Sequence, residues 1–144
     1  MYLNDLVNQG PIPVLEKLMA FSEVRHSVLA ENIANIDTPG YITKQLDPAA
    51  FEQALRRAVE QRGDDPNAPL VLPPSDEFSE DDQGHLKVTP STQPAENILF
   101  HDRTNASIEK LMADLNENTL VYSMASEMLR VQFDSLKTAI RGRI

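Results

Sequence analysis

The side chains able to do chemistry in this chain are few and scattered. Histidine occurs at His26, His85 and His101, and there is no cysteine. A metal centre on a helix needs paired ligands three or four residues apart on one face. No histidine here has a second histidine at that spacing. His26 falls in an apolar stripe and reads as a packed or rim side chain, and His101-Asp102 reads as punctuation before a helix. The acids Asp76, Glu77, Glu80, Asp81 and Asp82 invite calcium, yet they do not follow the alternating D-x-D-x-D-G pattern of a calcium loop. They read instead as a solvated loop. The glycines form no phosphate cradle, and no serine sits in a G-x-S-x-G turn. Asn105-Ala106-Ser107 has the form of a glycosylation sequon but lies at a helix start. With no acid, base or nucleophile to nominate, the expectation is a protein that is not an enzyme, with no cofactor, metal or small-molecule substrate. The net charge of −9 argues against a nucleic-acid surface.

One stretch is specific, "ENIANIDTPGYITKQ" at residues 31–45. Asn32 and Asn35 follow each other by three, then come Asp37, Thr38, Pro39, Gly40 and Tyr41. Asparagine tolerates the left-handed conformation that commonly ends helices. Pro39-Gly40 fits the central pair of a type II turn, since Pro presets φ and Gly accepts a positive φ. The segment thus reads as a sharp exit from a long helix, with Tyr41 free to lie back on it. An ordinary loop is the alternative.

The elements around it follow from the distribution of breakers. Residues 37–103 hold 13 of the 22 acids and 8 of the 10 prolines. Two breaker-free flanks bracket this acidic middle, which divides the chain into an N-terminal helical segment (1–40), a proline-rich acidic middle (41–103) and a C-terminal long helix (104–144). In the first flank Leu15, Met19, Ser22, His26, Leu29, Ile33 and Ile36 recur at spacings of four and three, and Val14, Leu18, Phe21 and Val28 widen the stripe. The second flank predicts one helix over 105–141. Ile108, Leu115, Tyr122, Leu129 and Leu136 fall seven apart, each followed four later by Met112, Thr119, Ser126, Phe133 or Ile140. At 1.5 Å per residue this helix runs about 55 Å and the first about 35 Å.

Val121, Met124, Met128 and Val131 form a second stripe on the C-terminal helix. One partner helix covers one seam, so the second needs either the folded middle or another subunit over it. Within the middle, Asp47-Pro48 predicts a capped helix start. Phe51, Leu55 and Val59 follow at steps of four, and Gly63 ends the helix. "PLVLP" (69–73) and "HLKVT" (85–89) are candidate strands of a short β-hairpin. Aromatics make up 6% of the residues, so the core is mostly aliphatic. Met1 to Gly10 carries neither a basic residue nor a long apolar run, unlike a Sec-type signal peptide.

The run Asn32-Ile33-Ala34-Asn35-Ile36-Asp37-Thr38-Pro39-Gly40-Tyr41 resembles the N-terminal signature of the bacterial flagellar axial proteins, the rod, hook and hook-filament junction family. The end of the chain resembles the short proximal rod subunits, with Asn118, Tyr122, Leu136, Lys137, Ala139 and Ile140 matching and Ser123 standing where a glutamine is usual. The resemblance covers roughly residues 10–60 and 105–141. It implies a mainly α fold whose terminal helices pair as an antiparallel coiled coil, with a small irregular middle. It also implies a self-associating structural subunit of the basal-body rod, needed for flagellum-dependent motility. The partners implied are other rod subunits and the basal-body base with its export gate. The location implied is the periplasm-spanning rod, reached through the type III export route without a cleaved signal. Phe51-x-x-x-Leu55 fits the family's export-gate motif, and the same residues also read as the buried face of their helix. Another proximal rod subunit is the nearest alternative, though such relatives usually carry a longer insertion at Thr38–Tyr41. A coiled-coil export chaperone is the alternative from a different class.

Overall fold

The computed structural model describes residues 10–63, 65, 68–92 and 104–142, with the side chains of 104–107 outside that set. Helix α1 spans Ile12–Ala34, α2 spans Pro48–Arg62, strands β1 and β2 span Phe78–Glu80 and Leu86–Val88, and α3 spans Thr104–Ile140. The fold is mainly helical, with long N- and C-terminal helices packed together, a short middle helix and an antiparallel two-strand hairpin. The unbroken 37-residue α3 matches the helix expected from its heptads. It closes where Gly142 adopts φ +61° and its amide donates to the Ala139 carbonyl.

Helix α1 is buried along two lines. Leu15, Ser22 and Leu29 form one, and Phe21 and Val28 the other, with Val14 half-buried on the same line. Residues seven apart lie nearly above one another, and neighbouring residues differ by about 100° around the axis. One apolar stripe in the sequence is therefore two faces in space. Ser22 meets α3, because its carbonyl accepts a hydrogen bond from Asn118 Nδ2 at 2.8 Å. Phe21 and Val28 meet the middle of the chain, in a core with Leu46, Phe51, Ala54, Leu55, Ala58, Leu70, Leu72 and Phe78. Phe51 stacks on Phe21 with ring centroids 4.1 Å apart and takes the edge contact of Phe78 at 5.6 Å. His26 is exposed rather than packed.

The short helix starts and ends as its punctuation dictates. Asp47 Oδ1 accepts from the amides of Ala49 and Ala50, and Gly63 closes the last turn at φ +59°. Its buried face is Phe51, Ala54, Leu55 and Ala58, whereas Val59 is 43% exposed.

The hairpin differs from expectation in its first strand. Residues 69–73 are not a strand, although Leu70 and Leu72 are buried. The strand falls inside the acidic stretch, pairing Phe78 with Val88, Ser79 with Lys87 and Glu80 with Leu86. Two of its acids are structural acceptors rather than solvated charges. Glu77 accepts from the Asp47 amide at 2.8 Å and the Ser91 hydroxyl at 3.0 Å. Glu80 accepts from the Leu72 amide at 2.7 Å and pairs with the buried Lys17 of α1 at 2.8 Å. Lys17 also donates to the Gly84 carbonyl at 2.8 Å, which ties the hairpin loop to α1.

Phe51→Ala removes the ring that joins α1, α2 and β1. The expected loss is about 3–5 kcal/mol of stability, in the range for a buried phenylalanine, read from the denaturant midpoint of the full-length chain.

Candidate functional site

The helix exit is built by Asn32. This side chain is 3% exposed and bonds in three directions. Its amide nitrogen donates to the Lys44 carbonyl at 2.7 Å. Its oxygen accepts from the Tyr41 hydroxyl at 3.0 Å and from the Lys44 amide at 3.1 Å. One residue of α1 thus holds both ends of the segment 41–44 and turns the chain back along the helix. Lys44 adds a surface ion pair to Glu31, with Nζ 2.8 Å from Oε1.

Asn35 finishes the helix without entering the left-handed region, at φ −107° and ψ 12°. Its side chain donates back to the Glu31 carbonyl at 2.9 Å and accepts from the Thr38 hydroxyl at 3.4 Å. The left-handed residue is Gly40, at φ +77°, where the Tyr41 amide donates to the Thr38 carbonyl at 3.2 Å. That is the type II turn expected around Pro39-Gly40. Asp37, Thr38, Pro39 and Gly40 are exposed at its tip. An amide, a phenol and a lysine that are already bonded to each other make a clasp. A neutral amide has no proton to exchange with a substrate, so Asn32 positions backbone rather than performing a reaction.

Desolvation, then the nearby Glu31 carboxylate, push the Tyr41 hydroxyl above the ordinary tyrosine value. The hydrogen bond to Glu31 holds the Lys44 ammonium above the ordinary lysine value. Both groups therefore keep their protons longer in the folded chain than in the unfolded one.

The second feature is the surface of α3. Its buried line runs through Asn118 and Ala125, each 2% exposed and seven residues apart. The residues expected to form the helix seam lie around that line. Leu115, Leu129, Phe133 and Leu136 are half-buried, whereas Tyr122 is 38% and Ile140 66% exposed. The reason is rotational: the buried line combines the heptad positions with the residues three after them, Asn118 and Ala125, not four after. Val121, Met124, Met128 and Val131 are 37%, 65%, 44% and 50% exposed. The described part of the middle does not cover them, because α2 and the hairpin pack on α1.

Phe51 and Leu55 lie in the core, 2% and 8% exposed. Asn118, Ser22, Lys17 and Glu80 were not legible as contacts. Only the seven-residue step from Asn118 to Ala125 could have pointed to the first pair. Among the described residues no group of histidines and acids is arranged to hold a metal, and no helix is long and apolar enough to cross a membrane.

No protein-family model matches the chain, and no solved structure does. Curated relatives do match. The flagellar basal body rod protein FlgB of Borrelia hermsii is 31% identical over 128 residues, covering 82% of this chain and 86% of the relative. The protein of that name from Bacillus subtilis is 27% identical over 137 residues, covering 92% and 95%. That of Salmonella typhimurium is 26% identical over 126 residues, covering 82% and 83%.

Removing the clasp in steps should order its bonds. Tyr41→Phe loses one hydrogen bond and is expected to cost about 0.5–1.5 kcal/mol, whereas Asn32→Ala strands buried partners and should cost about 2–3 kcal/mol. The clasp should also weaken in alkali. Its raised values make its contribution complete below the unfolded values, near 10.0 for tyrosine and 10.5 for lysine, and lost as pH rises through the folded ones. Denaturant midpoints measured across that range should fall less steeply for Tyr41→Phe than for the wild type.

Proposed function

Since the chain belongs to the family of flagellar basal body rod proteins FlgB, we propose that it is a non-enzymatic structural subunit of the flagellar rod, assembling laterally through the exposed face of α3. The observation that carries this reading is the exposed stripe Val121, Met124, Met128 and Val131, extended by Leu120 at 72% exposure. A stripe of large apolar side chains left open on a helix already paired along its neighbouring face marks a contact surface. Neighbouring rod subunits, including further copies of this chain, are the partners proposed for it. The half-exposed Tyr122 and the exposed Ile140 offer a second flank on the other side of the buried line. Two different faces favour head-to-tail contacts, which extend, over a closed pair. In this reading 1–40 and 104–144 form the axial part and 41–103 the variable part. The subunit serves motility by joining the basal-body base to the rest of the rod.

The clasp suits the same role. It sets the direction in which the chain leaves α1 with a bonded turn rather than a free loop, so the middle segment is delivered to one side of the helix. Export by the flagellar type III route without a cleaved signal completes the proposal, with Phe51 and Leu55 read by the export gate. Their burial in the folded chain is compatible with this only if the gate meets the chain unfolded.

Two experiments separate these claims. Val121→Asp with Met128→Asp should leave helix content unchanged and abolish rod incorporation and swimming, and normal swimming of this double variant would reject the interface. For export, Phe21→Ala and Phe51→Ala both break the aromatic stack, but only the second alters the gate motif. Secretion should fall for Phe51→Ala and be maintained for Phe21→Ala. Equal secretion of the two variants would leave Phe51 with packing alone.

A further inference from the structure

Ser22 and Asn118 are polar side chains buried in the α1–α3 seam, each 2% exposed. The Asn118 amide donates to the Ser22 carbonyl at 2.8 Å. A carbonyl within a helix already accepts its own helical bond, so this contact uses the second lone pair. It forms only where the two backbones come close, and the small side chain of Ser22 permits that approach.

The rest of the seam does not say where α3 must sit along α1. On α1 the same line carries Leu15 and Leu29, seven residues to either side of Ser22. On α3 the half-buried Leu111 and the buried Ala125 lie seven residues to either side of Asn118. Seven-residue spacing on both helices means that a slide of one heptad, about 10.5 Å, still sets apolar positions against apolar positions. Along the heptad positions the slide exchanges Ile108, Leu115, Tyr122, Leu129 and Leu136 for one another, apolar or aromatic at every step. Asn118 is what such a slide disturbs. It would stand against Leu15 or Leu29, whose bulk keeps the backbones apart, and its amide would be buried without an acceptor.

We propose that the Asn118–Ser22 contact fixes the register of α3 on α1. It selects one pairing among several that apolar matching alone would allow, and gives up some apolar contact to do so. A slide of one heptad would carry the Val121–Val131 stripe about 10.5 Å along the subunit. That consequence for assembly rests on the function proposed above, while the register itself is a property of the single chain and is tested there.

The chain has no cysteine, so a pair introduced at the exposed positions Ala30 of α1 and Ser123 of α3 takes nitroxide labels at those two sites alone. Pulsed electron double resonance on the full-length labelled chain is expected to give one narrow distance. Asn118→Leu should retain helix content and melt at the same or a higher temperature, while its distance distribution splits or broadens by about the length of a heptad, roughly 10 Å. Asn118→Ala is the second variant, free of any added bulk, and should broaden in the same way. A single unchanged distance in either folded variant overturns the proposal. Loss of the folded state in both variants also overturns it, since Asn118 would then be needed for pairing itself rather than for its register.

Discussion

The structure depends on α1 being buried along two lines one residue apart. Phe21 and Val28 belong to a core built with α2 and the hairpin, while Leu15, Ser22 and Leu29 lie on the side that meets α3. A helix turned about 100° per residue can serve two partners this way without a break. The cost falls on α3. Because the middle of the chain occupies the far side of α1, nothing in the described residues remains to cover the outer face of α3. The open stripe is therefore a consequence of how α1 is shared, rather than a separate device.

Polar contacts fix the positions that the apolar ones leave open. Lys17 and Glu80 pair at 2.8 Å with side chains 8% and 13% exposed, and Glu80 also accepts the Leu72 amide. Buried ion pairs add little net stability, but breaking one leaves a charge without a partner. Their effect here is to make one placement of the hairpin on α1 far better than its neighbours. Asn32 does the same for the segment after α1, holding Tyr41 and Lys44 at once. Asn118 does so for α3. In each case an apolar surface supplies attraction and a buried polar group chooses the geometry.

This division bears on what the protein can do. The clasp and the ion pair face inward and are already bonded, so they are committed to shape. Facing outward on α3 is an apolar stripe, Leu120, Val121, Met124, Met128 and Val131, that has no cover among the described residues. A rigid rod subunit needs both: internal contacts that leave one conformation, and an external face whose burial waits for a neighbour.

Much of this was legible in the residues themselves. The two long helices, the Asp47-Pro48 cap, the Gly63 stop and the type II turn at Pro39-Gly40 follow from local chemistry: proline and glycine restrict φ, a carboxylate caps free amides, and a heptad repeat declares a helix face. The signature around Asn32–Tyr41 carried the family resemblance, and its residues bond to one another within ten positions of chain. Tertiary structure alone decided the rest. One apolar stripe on α1 became two faces because a neighbouring residue lies about 100° away, and sequence does not say which partner takes which side. Tyr122 and Ile140 fell outside the buried line, and Asn118 and Ala125 into it, because the rotation of α3 is set by how closely it can approach Ser22. Glu77 and Glu80 read as solvated among so many acids, but their partners are Asp47, Ser91, Leu72 and Lys17. Those donors are distant in the chain, and only folding brings them within reach.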